Sequence, residues 1–301
     1  MTGIFPIPET GGETPMTQNA LVLGGGGPVG IAWEAGVMAG LALEGVRPPW
    51  HLIVGTSAGS FVGSAIAAGM DPIMLAEAQI ALGRQESSGG GAPPMNFDPS
   101  AFGALYLRMP EDSEPSTALK LEFGALSKTG AVVPEELFLM AFAGFIEPGM
   151  PWPASFACTA VDVDTGTFKL LRAKDNAPLL RGVAASCAVP GIFPPIEIDG
   201  ARYMDGGVRS ATSTDAAAGY DRVLTLAVQT AITLPAVRNA TLREARAVVE
   251  AGGKHHLIIP DAEVLRTFPT NLMNAKNRAA IAEAGIAQGR REAEALKGLF
   301  A

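Results

Sequence analysis

The sequence predicts an α/β fold with a mainly parallel central sheet covered by helices, and three observations lead there. Residues 20–69 alternate between short apolar runs of strand character and longer stretches whose apolar residues recur at helical spacing. At 301 residues the chain is long enough to bury a full core in a single large domain. Hydrophobic residues make up 48% and charged residues 17%, far from the polar composition of a disordered chain.

Residues 1–18 combine Thr, Pro, Gly and acidic side chains without a basic or apolar signal region, which reads as a flexible leader. Met16 is an alternative start just ahead of the first strand. Residues 19–301 read as one domain. Ala20–Leu23 is a short buried strand, broken by the glycines 24–27. Ile31–Leu43 is a helix with Ile31, Ala35, Met38, Ala39 and Ala42 on one face. His51–Val54 is the second strand, and Ala58–Ala68 the second helix, with Gly69 as its C-terminal cap.

From about residue 83 to 134 the pattern dissolves into Gly-, Ser- and Pro-rich stretches, and a long irregular insertion of this kind reads as a candidate lid. Short amphipathic helices are expected inside it at 99–107 and 117–126. Beyond it, 155–161 and 167–171 flank Asp164-Thr165-Gly166 as a β-hairpin. Strands at 225–228 and 256–259 enclose a helix at 242–250, and a long amphipathic helix spans 274–299.

The net charge of −8, without a basic stripe, argues against a nucleic-acid partner. Cys158 and Cys187 sit in apolar surroundings without metal-ligand spacing, so no metal, no cofactor and a reduced, cytoplasmic compartment are expected. No stretch reaches the roughly 18 apolar residues of a membrane span, which leaves at most peripheral contact.

Three motifs carry chemistry. Gly55-Thr56-Ser57-Ala58-Gly59 follows a strand and opens a helix, the context of a G-x-S-x-G nucleophile elbow that presents the Ser57 hydroxyl. The loop Gly24-Gly25-Gly26-Gly27-Pro28-Val29-Gly30 joins the first strand to the first helix. It offers backbone amides beside a helix N-terminus, where negative charge is stabilised. The same loop matches G-x-G-x-x-G, but the acidic ribose partner of a dinucleotide site is missing after the second strand. No Lys-Ser or Lys-Thr follows for a phosphate loop. Asp205-Gly206-Gly207 is a tight turn that leaves a carboxylate accessible; alone, its commonest meaning is a plain turn.

Taken together with the upstream segment Ala185–Pro195, these motifs resemble the patatin-like phospholipase family from Leu21 to about Val208. The resemblance implies a three-layer α/β/α sandwich, with Ser57 as nucleophile and Asp205 as its partner in a catalytic dyad. It also implies an oxyanion hole from the amides of Gly25, Gly26 and Gly27, helped by Ala58, with Gly30, Gly55, Gly59, Gly206 and Gly207 as motif glycines. The substrate class it implies is a lipid or other long-chain carboxylic ester. The family usually carries an arginine where this chain has Val29, which puts phospholipid headgroup preference in doubt. His255 or His256 completing a Ser, Asp, His order is a rival arrangement. A catalytically silent lipid-binding module and an acyltransferase using the same acyl-enzyme are the alternative functions.

Overall fold

A computed structural model of the protein describes residues 17–90, 100–274 and 276–300. Most of the expected leader therefore lies outside the described residues, as does the stretch 91–99 of the expected insertion. In chain order the first elements are β1 (Asn19–Leu23), α1 (Gly27–Leu43), β2 (Leu52–Gly55), α2 (Ala58–Ala67) and α3 (Pro72–Gln85). Three helices follow: α4 (Ser100–Tyr106), α5 (Thr117–Thr129) and α6 (Glu135–Ala143). The chain continues through β3 (Phe156–Asp162), β4 (Phe168–Arg172), α7 (Leu179–Ser186), β5 (Ile196–Ile198) and β6 (Ala201–Asp205). It ends with β7 (Arg222–Leu226), α8 (Pro235–Glu250), β8 (Lys254–Ile258), α9 (Ala262–Leu265) and α10 (Arg278–Phe300).

The strands form one eight-stranded sheet in the order β5-β6-β3-β2-β1-β7-β8, with β4 also on β3. The pairs β1–β2, β1–β7, β2–β3 and β7–β8 are parallel, while β3–β4, β3–β6 and β5–β6 are antiparallel. Alternation along the strands assigns the two faces. Leu21, Leu23, Ile53, Phe156 and Leu224 join the larger core with residues of α1, α2, α3, α7 and α10. Ala20, Val22, Leu52, Val54 and Val223 point the other way, toward Val248 of α8 and toward Ala217 in the turn ahead of β7. Further along that second face, Val161, Val163 and Met204 pack under Leu119 and Phe123 of α5. The result is the α/β/α arrangement expected from the sequence.

The helix expected from Ile31 begins instead at Gly27, because Pro28 in its first turn supplies a helical φ and needs no intrahelical amide bond. α1 packs against α10 backbone to backbone. A Cβ at Gly36 would stand 2.3 Å from the Ala282 carbonyl oxygen, and one at Gly289 would stand 2.2 Å from that of Val37. Trp33 closes this seam by donating to Gln288 at 2.9 Å. Pro72 likewise opens α3 inside a stretch the sequence left unassigned, with the Asp71 carboxylate capping the Ile73 amide at 2.8 Å. The insertion expected to be irregular is largely helical where it is described; α4 and α5 cover the two short helices expected within it.

The pairing around β3 positions the site. β4 runs along one edge of β3 from Ala157 to Val161, so β2 and β6 must share the other edge. β2 ends with Gly55 opposite Cys158, and β6 ends with Asp205 opposite Ala160. Parallel β2 and antiparallel β6 thus meet end to end, their carboxyl ends about 6.6 Å apart along β3.

Candidate active site

Ser57 stands at the meeting point, as the residue that caps α2. Its backbone has φ 52° and ψ −117°, a left-handed conformation that costs a side-chain-bearing residue about 1–3 kcal/mol and must be held by its surroundings. The holding contacts are specific. The Ser57 amide donates to Ser186 Oγ at 3.0 Å, and its carbonyl accepts from Ser60 Oγ at 2.7 Å and Cys187 Sγ at 3.2 Å. The flanking glycines serve space rather than torsion. A Cβ at Gly59 would lie 2.1 Å from the Leu23 carbonyl oxygen, and one at Gly55 would lie 2.4 Å from Ser60 Cα.

Asp205 closes β6 and is 5% exposed. Its amide donates to the Ala188 carbonyl at 3.0 Å, and its carboxylate accepts from the Gly207 amide at 2.7 Å. Burial pushes its pKa up to about 7, against the opposing pull of the Gly207 amide and a hydrogen-bonding interaction with the Ser57 hydroxyl. A carboxylate of that pKa near neutrality has the strength a general base needs. Gly206 admits no side chain here, since a Cβ would fall 2.0 Å from Thr159 Oγ1. Thr159 itself fills the seam between the two strand ends and donates to Thr56 Oγ1 at 2.8 Å.

The glycine loop lies against the elbow. Gly59 donates to the Gly24 carbonyl at 3.0 Å, and a Cβ on Gly25 would touch Ser57 Cβ at 3.4 Å. Gly26 and Gly27 are the cap and first residue of α1, and Ala58 is the first residue of α2, positions whose amides have no partner within their helix. Gly25 departs from expectation: its amide donates to the Ala211 carbonyl at 2.8 Å and is therefore already engaged. Gly30 donates back to the Gly26 carbonyl at 2.8 Å, closing the first turn. Val29, in the position of the family's usual arginine, is fully buried in the main core and brings no charge to the site.

The histidines are elsewhere. His51 Nδ1 accepts from the Asn19 amide at the start of β2, opposite the end that bears Ser57. His255 and His256 lie on β8, three strand spacings or about 14 Å from β2. His255 binds Thr225 Oγ1 at 3.0 Å, and burial lowers its pKa to about 4. Among the described residues no group of three His, Cys, Asp or Glu could hold a metal, and no helix is long and apolar enough to cross a membrane.

Sequence reasoning missed Thr159, Ser60 and the roles of Ser186 and Cys187. Cys187 carries no signal in the sequence beyond that of a lone thiol; in the fold it is half-buried behind the elbow, where desolvation and then Asp205 push its pKa up. A cavity of about 410 Å³ runs along α2 from Phe61 to Ala68, walled by Met74, Phe145 and Leu179, and includes neither Ser57 nor Asp205.

The segment after α3 covers the Asp205 side. Tyr106 and Phe102 of α4 stack at 5.3 Å and pack with Met204 and Val208 on either side of the aspartate. Burial, and then Asp205, raise the Tyr106 pKa to about 12. The strap after α4 is tied down at two points. Glu114 pairs with the buried Arg209, which also holds Asp215 at 2.9 Å, and Arg243 donates to the carbonyls of Glu111 and Ser113 at 2.9 Å.

Among solved structures, the chain is similar to VipD from Legionella pneumophila, with 15% identity and a TM-score of 0.45. That match covers 93% of this chain and 67% of VipD. It is also similar to ExoU in its heterodimeric complex with SpcU from the type III secretion system of Pseudomonas aeruginosa. Here the identity is 17% and the TM-score 0.41, over 95% of this chain but only 52% of that one. The chain thus spans about half the length of ExoU. No curated protein matches it. The family model of the patatin-like phospholipases matches residues 21–218, from the first strand through the Asp205 turn, and by that match this chain belongs to the patatin-like phospholipase family.

Proposed function

We propose that the protein is a serine acyl hydrolase that cleaves carboxylic ester bonds of lipids through a Ser57–Asp205 dyad. The observation that carries this reading is the end-to-end meeting of β2 and β6 on β3, which puts a half-buried serine of strained backbone beside a buried aspartate. Ser57 Oγ attacks the ester carbonyl while Asp205 takes its proton, giving an oxyanion and then an acyl-enzyme. The amides of Gly26, Gly27 and Ala58 receive the oxyanion, each worth on the order of 3 kcal/mol to the transition state. Asp205 returns the proton to the leaving alcohol, then takes one from the water that releases the acid.

The substrate class follows from family membership, whose members act on lipids. With buried Val29 in the arginine position, selection rests on the acyl chain more than on a phosphate. The strap at 107–116, with exposed Leu107 at its start, serves as a cover over the Asp205 side that a lipid surface displaces.

Fluorophosphonate labelling followed by hydrolysis of a lipid panel tests the reading. Wild type is expected to label at Ser57 and to release fatty acid. Ser57→Ala and Asp205→Asn are expected to lose about a thousandfold or more while folding normally. Equal cleavage by wild type and Ser57→Ala would overturn it.

A further inference from the structure

Ser186, Cys187 and Ala188 form one short segment at the end of α7, and it touches both members of the proposed dyad. Ser186 Oγ accepts the Ser57 amide at 3.0 Å, Cys187 Sγ donates to the Ser57 carbonyl at 3.2 Å, and the Ala188 carbonyl accepts the Asp205 amide at 3.0 Å. Ser57 needs such support because its φ of 52° is unfavourable for any residue but glycine. The carbonyl has two donors, Ser60 and Cys187, so loss of either leaves the other. Among the described residues the amide has only Ser186. A buried amide deprived of its acceptor costs about 1–3 kcal/mol, comparable to the strain the elbow stores.

We infer that Ser186 is a positioning residue: its hydroxyl, through the Ser57 amide, sets the left-handed backbone that aims Ser57 Oγ at Asp205. It touches neither substrate nor the reacting atoms. The inference rests on the reading of Ser57 as nucleophile, and the experiment separates the two. If the hydroxyl is removed, Ser57 relaxes toward ordinary torsions, its oxygen moves away from Asp205, and the following Ala58 amide turns with it. Displacements on the ångström scale cost a hydrogen-bonded reaction about a hundredfold. Substrate binding on the far side of the carbonyl is untouched.

Ser186→Ala is expected to lower kcat on a soluble short-chain ester about 10- to 100-fold, with KM held within about twofold. The rate of fluorophosphonate labelling falls in parallel. The midpoint of the pH profile, expected near 7 in wild type, shifts upward, because Asp205 keeps its burial and the Gly207 amide but loses the Ser57 hydroxyl that opposes that burial. Because Ser186 is fully buried, a second pair of variants guards against misfolding: Ser186→Thr and Ser186→Val have the same shape and differ only in the hydroxyl. Thr is expected to exceed Val in labelling rate about tenfold at matched thermal stability. Equal rates for Thr and Val, or a Ser186→Ala variant that labels like wild type, would overturn the inference while leaving the nucleophile intact. Failure of wild type itself to label at Ser57 would overturn both.

Discussion

Replacing Asp205 with asparagine is expected to make the protein more stable at alkaline pH while abolishing its activity. Burial raises the folded-state pKa of Asp205 to about 7, against an ordinary aspartate near 3.9. Ionising it in the folded protein therefore costs about 4 kcal/mol more than in the unfolded chain, at 1.36 kcal/mol per pH unit. The sign follows from proton counts. Between roughly pH 4 and 7 the folded state holds the proton and the unfolded state does not, so stability from this group falls as pH rises and levels off above about 8. Asn keeps an acceptor for the Gly207 amide but has no charge to bury. Thermal unfolding of wild type and Asp205→Asn at pH 5 and pH 8.5 should show the variant leading by only about 1–2 kcal/mol at the lower pH, where the unfolded aspartate is already mostly ionised. At the higher pH the variant should lead by up to about 4 kcal/mol, or about 5 °C for a chain of this size. The same ionisation switches on the base, so kcat/KM of wild type should climb through a midpoint near pH 7 and then plateau. A stability difference that does not change with pH, or a destabilised variant at pH 8.5, would refute the buried base.

Substitutions at three further positions test other parts of the molecule. Ser57→Gly and Ser57→Ala should both be inactive, but Gly should be more stable by about 1 kcal/mol in urea unfolding, because Ala inherits the left-handed backbone. Glu114→Gln loosens the strap while leaving Arg209 its Asp215 partner, and should raise the rate on a soluble ester by at most about fivefold, the reach of one half-exposed ion pair; an unchanged rate counts against the cover. Gly289→Ala places a Cβ 2.2 Å from the Val37 carbonyl and should cost about 3 kcal/mol by denaturant melts, through separation of α1 from α10.

Strands β1 and β2, the elbow and the β3–β4 hairpin were legible because each is written in local pattern: apolar runs, glycine punctuation and a turn at Asp164–Gly166. Helix α8 was foreseen only in its second half, since Pro235 at its start and the polar Arg238-Asn239 after its first turn interrupt the apolar pattern. Strands β5 and β6 were not foreseen, because three- and five-residue strands in an antiparallel edge carry little periodicity of their own. The candidate site divides in the same way. Ser57 and Asp205 stand out by motif, whereas Gly25, expected in the oxyanion hole from its place in the glycine loop, has its amide taken by Ala211, a residue remote in sequence.

The sequence by itself determined the alternation of strand and helix, the elbow serine, the glycine loop and the aspartate turn, because each depends on residues adjacent in the chain. Tertiary structure alone decided how they act on one another. The register of β3 against two strand ends sets the approach of Ser57 to Asp205, and burial under α4 and α5 sets the basicity of the carboxylate. Ser186, placed 129 residues from the serine it supports, has no meaning until the fold brings the two together. Hydrogen bonds and desolvation depend on distance in space, and a sequence records only distance along the chain.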